Sequence, residues 1–462
     1  MEQCLNKRES NVNENPTASQ AHQAQLEAAA AALTLGPGGS SSETSGLLQY
    51  FGYDDGDAAK SDGRSRMLRA AAKLRRMFLV PVPDAPGLVF FGGEADPTVL
   101  GADYTGLPVG SLAGSGLSPQ RAFESCVGEG IEYLSQFLQA GDRIERGPTA
   151  TRRTVHDPHA QAFVAAVLAA CHVDEHHPIA WAPVRQLSDD TEAWFPVDLC
   201  YRRHEAQQDF AAPLKLSTGC AAGITFEMAT LRALLELIER DAMAMWWRGG
   251  RRARPIAADS EAALGAAELL AQLRGAMHER RSWLLDITTD LGIPAVAAVS
   301  SGQDGYGFAF GLGARLSLPE AAAAAIFEMC QVELSQHVIA AKRYESGDTG
   351  LNDSDRRQLR RGTLFDTGSC ALLQPDGTPN PAWPHIPAEP KAALVHLVDR
   401  LAGVGIVTYR LDLTRKEFGV PVVRVLAPGL QLEPCEIAST RLVHAIAETG
   451  GGAVHTGGLP LL

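Results

Sequence analysis

Three segments of this chain combine the periodicity of a helix with polar side chains three residues apart among apolar neighbours. Residues three or four apart share one face of a helix, so each pair projects from one side. A carboxylate among Leu, Ile, Val and Phe is costly to bury unless it meets a cation or takes up a proton. The predicted helices are 119–138, 225–247 and 319–341, and their pairs are Glu129 and Glu132, Glu236 and Glu239, and Glu328 and Gln331.

These pairs allow two interpretations. Converging helices could place carboxylates and an amide around Mg²⁺, which prefers oxygen ligands and in turn binds phosphate oxygens. Ser125 lies on the face of Glu129, and Arg240 follows Glu239 directly. Alternatively, the acids pair with Arg121, Arg232 or Arg240 in structural networks. The spacing alone favours neither interpretation.

The rest of the sequence predicts a mixed α/β fold. A strand-like run occupies 87–92, and Ser118, Thr225 and Ser317 are suitable N-caps for the three helices. The segments 285–299 and 411–425 both have the pattern strand, Asp-x-Thr turn, Gly-x-Pro, strand. We interpret them as similar elements of one sheet system.

Three regions are predicted along the chain. Residues 1–62 are rich in Asn, Gln, Ala, Ser and Gly, which predicts a largely disordered leader. Residues 63–80 predict a basic amphipathic helix, which is suited either to an acidic peptide or to an ordinary protein surface. Residues 81–462 predict one catalytic domain with mixed β-sheets and helices.

Composition excludes several classes of function. The formal net charge of -13 disfavours binding to nucleic acid, whose phosphates require Lys and Arg. The sequence has no long apolar span and no secretory signal, and its eight cysteines form no C-x-x-C pair, which predicts a cytoplasmic protein with reduced thiols. The common phosphate-binding loop is absent, so a bound nucleotide would depend on metal ions. Histidines and a cysteine between 156 and 177 could suggest zinc, but their spacing is more typical of a solvated loop: His156, His159, Cys171, His172, His176 and His177.

At the three acidic helices the sequence resembles the YcaO family of ATP-utilising enzymes, which activate peptide backbone amides. The resemblance covers the chain from about residue 85 to its end, and 217–247 is its most specific part. The matching segments are GSGLSPQRAFESCVGEGIEYLS at 114–135, STGCAAGITFEMATLRALLELIERDAMAMWW at 217–247, GLGARLSLPEAAAAAIFEMCQVEL at 311–334 and LDLTRKEFGVPVVRVLAPGL at 411–430.

The resemblance implies an α/β fold that binds ATP and Mg²⁺. It implies metal or phosphate ligation by Glu129, Glu132, Glu236 and Glu239, with Ser125, Arg240, Glu328 and Gln331 lining the same pocket. The implied reaction is cyclodehydration of Cys, Ser or Thr in a ribosomally made precursor peptide to azolines, as in thiazole- and oxazole-containing bacteriocins. The implied partners are the precursor peptide, a leader-binding protein, a flavin-dependent azoline dehydrogenase and a second copy of the chain.

Departures from the family pattern support a competing hypothesis. Ile224 and Met228 stand where an amide and a carboxylate are usual, and neither side chain is a ligand for Mg²⁺. Ser115 and Tyr133 also depart from the pattern, and Glu333 replaces an arginine and would repel phosphate. The tail GGLPLL lacks the proline-alternating ending of many cyclodehydratases. A scaffold that keeps the fold and binds a peptide or an active partner without turning over ATP is therefore the alternative.

Overall fold

The computed structural model describes residues 66–148, 157–174, 176–276, 279–380 and 385–462. The predicted leader at 1–62 and His156 lie outside the described residues. The described chain divides into two compact units. The smaller unit comprises 66–81, 88–135 and 414–421, and the larger comprises 82–87, 136–413 and 422–462. The region boundaries suggested by the sequence stay predictions.

The smaller unit contains a three-stranded antiparallel sheet with a long helix packed on it. Its strands are β1 (Arg76–Leu79), β2 (Val89–Ala95) and β3 (Gly110–Gly116), and its helix is α1 (Pro119–Ser135). Gly114 on β3 makes the close approach of sheet and helix possible. A Cβ atom at this position would lie only 2.2 Å from the carbonyl oxygen of Ala122 in α1.

The basic helix predicted over 63–80 is wrong in its second half. Residues 66–71 are helical, but the chain then turns and forms β1. Met77 pairs in register with Gly93 of β2 and is buried, while Arg76 forms an ion pair with Glu94 on the same neighbouring strand. The partner strand decides this outcome, since a short apolar run such as the one at 77–79 fits either a short strand or the end of a helix.

The larger unit contains two antiparallel sheets. One has three strands in the order β10-β9-β8, and the other has six, in the order β4-β5-β11-β12-β7 with β6 beside β5. Their bounds are β4 (Glu145–Pro148), β5 (Pro178–Gln186), β6 (Glu192–Pro196), β7 (Cys220–Ala222), β8 (Arg280–Asp286), β9 (Ala295–Gly302), β10 (Ala309–Ala314), β11 (Tyr409–Asp412) and β12 (Val422–Leu426).

The helices of the larger unit cover these sheets. They are α2 (Pro158–Ala170), α3 (Val197–Cys200), α4 (Phe226–Trp247), α5 (Glu261–Arg274), α6 (Leu318–Ser346), α7 (Asp353–Leu364), α8 (Pro390–Gly403), α9 (Thr440–Thr449) and α10 (Ala453–Thr456). No helix within the described ranges is long and apolar enough to cross a membrane.

Helix α4 lies at the centre of the larger unit because it is apolar on several faces. Leu234 and Ile238 belong to one core cluster with Val299 of β9 and Val425 of β12, so this helix packs against both sheets. Its predicted N-cap, Thr225, accepts a hydrogen bond from the backbone N–H of Met228. Burial on opposite faces explains why the sequence of α4 shows only a weak amphipathic pattern.

The two Asp-x-Thr segments each form an antiparallel pair, but the pairs belong to different sheets. The first supplies β8 and β9, and the second supplies β11 and β12. The prediction that they share one sheet system is therefore wrong. Similar local sequences specify the same turn between strands, whereas the choice of sheet depends on contacts with distant segments.

Candidate functional site

The acidic helices share one local geometry, in which the side chain of a glutamate is hydrogen-bonded to the strand that precedes its helix. Counting from the N-caps Ser118, Thr225 and Ser317, the first glutamate of each predicted pair lies eleven residues on. In each case its Oε2 atom accepts a hydrogen bond from a backbone N–H at that strand. The donors are Ala113 to Glu129 at 2.6 Å, Gly219 to Glu236 at 3.1 Å and Leu312 to Glu328 at 2.5 Å.

Serine and threonine caps fix the start of these helices, so this geometry follows from the sequence. Ser317 accepts from the N–H of Glu320, and Ser118 accepts from that of Arg121 at 3.3 Å. Three turns of helix then bring the glutamate over the end of the strand. Each such glutamate is therefore positioned by backbone atoms that its own segment supplies.

The larger unit brings three of the predicted acids around one arginine. Arg240 Nη2 lies 3.5 Å from Oε1 of Glu236, and its Nη1 lies 3.6 Å from Oε1 of Glu239. Glu239 also accepts a hydrogen bond from the N–H of Ala314 at 3.0 Å. Glu328, on α6, faces this group, and the charges of both Glu239 and Arg240 act on it. We call Glu236, Glu239, Arg240 and Glu328 the acidic cluster.

Burial and crowding shift the pKa values in the acidic cluster. Burial first and the charge of Glu239 second raise the pKa of Glu328 to about 7. Burial also raises the pKa of Glu236, although Arg240 acts in the opposite direction. The neighbouring carboxylates raise the pKa of Arg240 against the effect of its burial, so this guanidinium stays charged. The cluster therefore holds three carboxyl groups to one cation, and the raised pKa values mean that Glu236 and Glu328 take up protons more readily than exposed glutamates do.

The donors of the acidic cluster fit a magnesium–phosphate ligand. The carboxylates offer the hard oxygen atoms that Mg²⁺ prefers. Arg240 Nη1 is buried without a hydrogen-bond partner within the described part of the chain, and such a donor suits a phosphate oxygen. No three His, Cys, Asp or Glu side chains within the described ranges are close enough to hold an ion by themselves. Phosphate and water oxygens would therefore complete the coordination, as is usual for Mg²⁺.

The other predicted site residues divide between the two units. Gln331 lies on α6, one turn after Glu328, and is half-buried. Ser125, Glu129 and Glu132 lie on α1 in the smaller unit. Ser125 and Glu129 are exposed and Glu132 is half-buried, so the apolar neighbours of Glu129 in sequence do not bury it. Those neighbours face the sheet, while Ser125 and Glu129 lie at the edge of that face. Ligand roles for these residues stay predictions.

The sequence predicts that Glu333 would repel phosphate, but the structure places its side chain in the interior. It is fully buried, and its carboxylate accepts two hydrogen bonds from Arg274, at 2.8 and 2.9 Å. Arg280 Nε lies 3.0 Å away, and the hydroxyl of Ser300 donates to the same carboxylate. Its negative charge is compensated by two arginines, so the predicted repulsion of phosphate is wrong. No local sequence pattern links Glu333 to Arg274 and Arg280, which lie more than fifty residues before it in the chain.

The remaining departures lie on accessible parts of the structure. The side chain of Ile224 is 47% exposed at the turn before α4, and Met228 is half-buried in the first turn of that helix. The hydroxyl of Tyr133 donates a hydrogen bond to the carbonyl of Pro108 within the smaller unit. Of the arginines considered as alternative partners, Arg240 forms ion pairs with Glu236 and Glu239, and Arg232 donates a hydrogen bond to the carbonyl of Ala222.

A family model and curated relatives match this chain over most of its length. The model is described as YcaO cyclodehydratase, ATP- and Mg²⁺-binding, and it matches residues 113–431. An uncharacterized protein in the tfuA 3' region of Rhizobium leguminosarum bv. trifolii is 26% identical over 334 residues, which cover 69% of this chain and 76% of that protein.

Solved structures share the fold. A heterocyclase in complex with substrate and cofactor superposes with a TM-score of 0.66 at 22% identity over 85% of this chain, and the chain spans 55% of that protein's length. A YcaO protein from Methanopyrus kandleri bound with AMPPCP and Mg²⁺ gives a TM-score of 0.56 at 19% identity, covering 81% of this chain and 92% of that one. These likenesses confirm the predicted mixed α/β fold.

Proposed function

Because the chain belongs to the YcaO family, as the sequence predicts, we propose that it is the ATP-dependent cyclodehydratase subunit of a peptide-modifying system. ATP and Mg²⁺ are the cofactors of this family, which agrees with the sequence prediction. The substrate that we propose is a ribosomally made precursor peptide, in which Cys, Ser or Thr residues become azolines.

The acidic cluster is the observation that carries this proposal. Three carboxyl groups surround one guanidinium whose Nη1 has no hydrogen-bond partner among the described residues, and the raised pKa values of Glu236 and Glu328 mean that a bound cation would be needed to keep all three carboxyl groups ionised at neutral pH. A purely structural network would pair its charges, since uncompensated buried charge is costly. The excess of carboxyl groups over cations and the Nη1 of Arg240, which makes no hydrogen bond to any residue that the structure describes, together suit a ligand that carries both a divalent cation and phosphate.

The chain's own residues would bind and orient the reactants. Glu236, Glu239 and Glu328 would hold Mg²⁺, which neutralises phosphate charge during phosphoryl transfer. Arg240 would donate Nη1–H to a phosphate oxygen, and the backbone N–H groups of Gly219, Ala314 and Leu312 hold the carboxylates in place. In the reaction implied by the resemblance, the peptide side chain attacks the preceding amide carbonyl, ATP phosphorylates the resulting oxygen, and that oxygen leaves as phosphate.

The partners that we propose follow from the same resemblance. They are the precursor peptide, a leader-binding protein that delivers it and a flavin-dependent dehydrogenase that oxidises azolines to azoles. We also propose that the chain forms a homodimer and works in the cytoplasm, on products of the bacteriocin type.

Mass spectrometry of the peptide together with phosphate release tests the proposal. The purified chain, its leader-binding partner and a Cys-containing precursor are incubated with ATP and Mg²⁺. We expect the peptide to lose the mass of one water per ring, with one phosphate released for each loss, and we expect both signals to vanish when EDTA removes the metal. Phosphate release without loss of water would contradict cyclodehydration, and a gain in mass would indicate insertion of another nucleophile. Absence of ATP binding by calorimetry would exclude turnover.

A scaffold that does not turn over ATP is the second candidate, and Ile224 and Met228 favour it. Both positions lack oxygen donors, and Ile224 is exposed where a ligand would be accessible. This candidate predicts that the chain binds the precursor or an active partner while releasing no phosphate.

The double variant Ile224→Asn with Met228→Glu separates the two candidates. If the native site is competent, phosphate release should change by less than about threefold, or about 0.7 kcal/mol in the barrier. The variant should fold normally because both side chains are accessible and the N-cap bond uses the backbone N–H of position 228. Phosphate release that appears only in the double variant would favour the scaffold.

A further inference from the structure

A large cavity lies in the larger unit beside the end of α4, apart from the residues of the acidic cluster. Its volume is about 1010 Å³, in the size range of ligand-binding cavities. Met243 and Trp247 of α4 form one wall, and the segments 210–215, 433–436 and 459–462 form others. Every lining residue belongs to the larger unit. The proposed reaction leaves this cavity without a role.

The cavity and the acidic cluster lie along the same face of α4. With about 100° of rotation per residue, Met243 and Trp247 each lie within about 20° of Glu236 around the helix axis. Met243 is about 10 Å along the axis from Glu236. About three residues of an extended peptide cover that distance. A peptide with one residue at the acidic cluster could therefore place a neighbouring stretch in the cavity.

The inner surface of the cavity is mainly apolar. Phe210, Met243, Trp247 and Leu461 are buried there, and the indole N–H of Trp247 is already used in a hydrogen bond to the carbonyl of Leu459. The one buried carboxylate, Glu433, is paired with Arg248. Since these polar groups have partners, a charged ligand would find no compensation at the inner surface.

The C-terminal segment that forms one wall of the cavity shows what kind of peptide packs against its inner surface. Residues 459–462, Leu-Pro-Leu-Leu, run along the cavity without regular secondary structure, and Leu461 is only 2% exposed. A proline-containing apolar segment thus already packs against these side chains. The exposed charges, Lys215 and Glu436, lie at the cavity with opposite signs and so favour no strongly charged ligand.

We propose that this cavity binds an uncharged, apolar stretch of the peptide substrate, close in sequence to the residue that is modified. The inference rests on the proposed function, because it takes the substrate to be a peptide. It makes Met243, Trp247 and Ile446 determinants of which peptide sequences are accepted. Apolar side chains entering the cavity gain the free energy of leaving water, whereas charged ones lose hydration without gaining a partner.

Cys171 provides a direct probe of occupancy. It lines the cavity and is half-buried, with its thiol 3.3 Å from the carbonyl of Ala211. The probes are two synthetic peptides, each with one Ser: one has Leu and Phe around the Ser, and the other has Asp and Lys at the same positions. The rate of alkylation of Cys171 in the full chain is followed by peptide mapping, without ATP. We expect the apolar peptide at ten times its Kd to slow alkylation about tenfold, because about nine-tenths of the sites are then filled.

A matched pair of variants on α9 locates the binding surface. Ile446 lines the cavity and is 39% exposed, whereas Val443 is 51% exposed on the same helix and is not part of the lining. Both accept a polar replacement without loss of a buried core side chain. We expect Ile446→Arg to weaken binding of the apolar peptide at least about tenfold by placing an unpaired charge in the apolar cavity. Val443→Arg should stay within about twofold of the native chain, a change of about 0.4 kcal/mol.

The outcomes separate this proposal from the proposed function. If the apolar peptide leaves Cys171 alkylation unchanged, or if Ile446→Arg and Val443→Arg bind alike, the cavity is not the peptide site, even where ATP is bound and phosphate is released. If the apolar peptide protects Cys171 and the charged peptide does not, the cavity proposal holds, even where ATP is not bound. ATP binding, measured on both variants by calorimetry, should stay as in the native chain.

Discussion

Replacing Glu333 by the arginine that is usual in the family should prevent folding. Glu333 is fully buried and holds Arg274 and Arg280 at 2.8 to 3.0 Å. Removing the partner of a buried charge costs about 3–5 kcal/mol, and Glu333→Arg adds a third cation to two whose remaining acidic neighbour is Asp84, 3.8 Å from Arg280. Since whole domains are stable by only about 5–15 kcal/mol, this loss would leave little or no folded protein. Circular dichroism and the soluble yield measure the result.

Two further variants show whether charge compensation is the cause. Glu345→Arg, on an exposed position of the same helix, should change the free energy of unfolding by no more than about 0.5 kcal/mol. Glu333→Gln keeps the shape and loses the charge, so it should fall between the native chain and Glu333→Arg. A Glu333→Arg protein that folds with the native unfolding midpoint would show that the buried ion pairs contribute little. Glu333 would then be better explained by a role in the site.

This contrast shows which kinds of information the sequence contains. Glu236 and Glu328 could be predicted because N-caps and helical periodicity are local features of the sequence. Eleven residues after each cap, the glutamate side chain contacts the strand that directly precedes its helix. The partners of Glu333 could not be predicted, since α5 and β8 lie far away in sequence and no local pattern links them. The short apolar run at 77–79 was misassigned for the same reason, because a strand is defined by the strand it pairs with.

The solvent exposure of the glutamates also could not be predicted from the sequence. Glu129 and Glu236 have equivalent spacing and similar apolar neighbours, yet Glu129 is exposed and Glu236 is half-buried. Helix α1 covers one sheet, whereas α4 packs against two sheets. The number of elements around a helix decides whether its polar stripe meets solvent. The cavity beside Trp247 was likewise unpredictable, since it forms from segments more than two hundred residues apart.

The stability of the ligand-free protein should fall as pH rises from about 4.5 to about 7, because of Glu328. Its folded-state pKa is raised from 4.5 to about 7, first by burial and then by the charge of Glu239. In this window the folded chain retains a proton that the unfolded chain releases, so stability present at low pH is lost as pH rises. Glu328→Gln cannot ionise and should remove this contribution. At pH 8 it should raise the free energy of unfolding by about 1–3 kcal/mol, as measured by urea denaturation.

Binding of Mg²⁺ and ATP should depend on pH in the opposite sense, since the ligand requires the ionised carboxylate. Below pH 7 we expect affinity to fall by up to about tenfold per pH unit, and above pH 7 it should level off. Glu239→Gln removes the like charge and should move the midpoint of the stability profile to lower pH, whereas Glu320→Gln, at an exposed position on the same helix as Glu328, should leave it in place. If the midpoint is the same in Glu239→Gln as in the native chain, burial alone sets the pKa of Glu328. If Mg²⁺ and ATP bind equally at pH 5.5 and pH 8, Glu328 does not take part in the site.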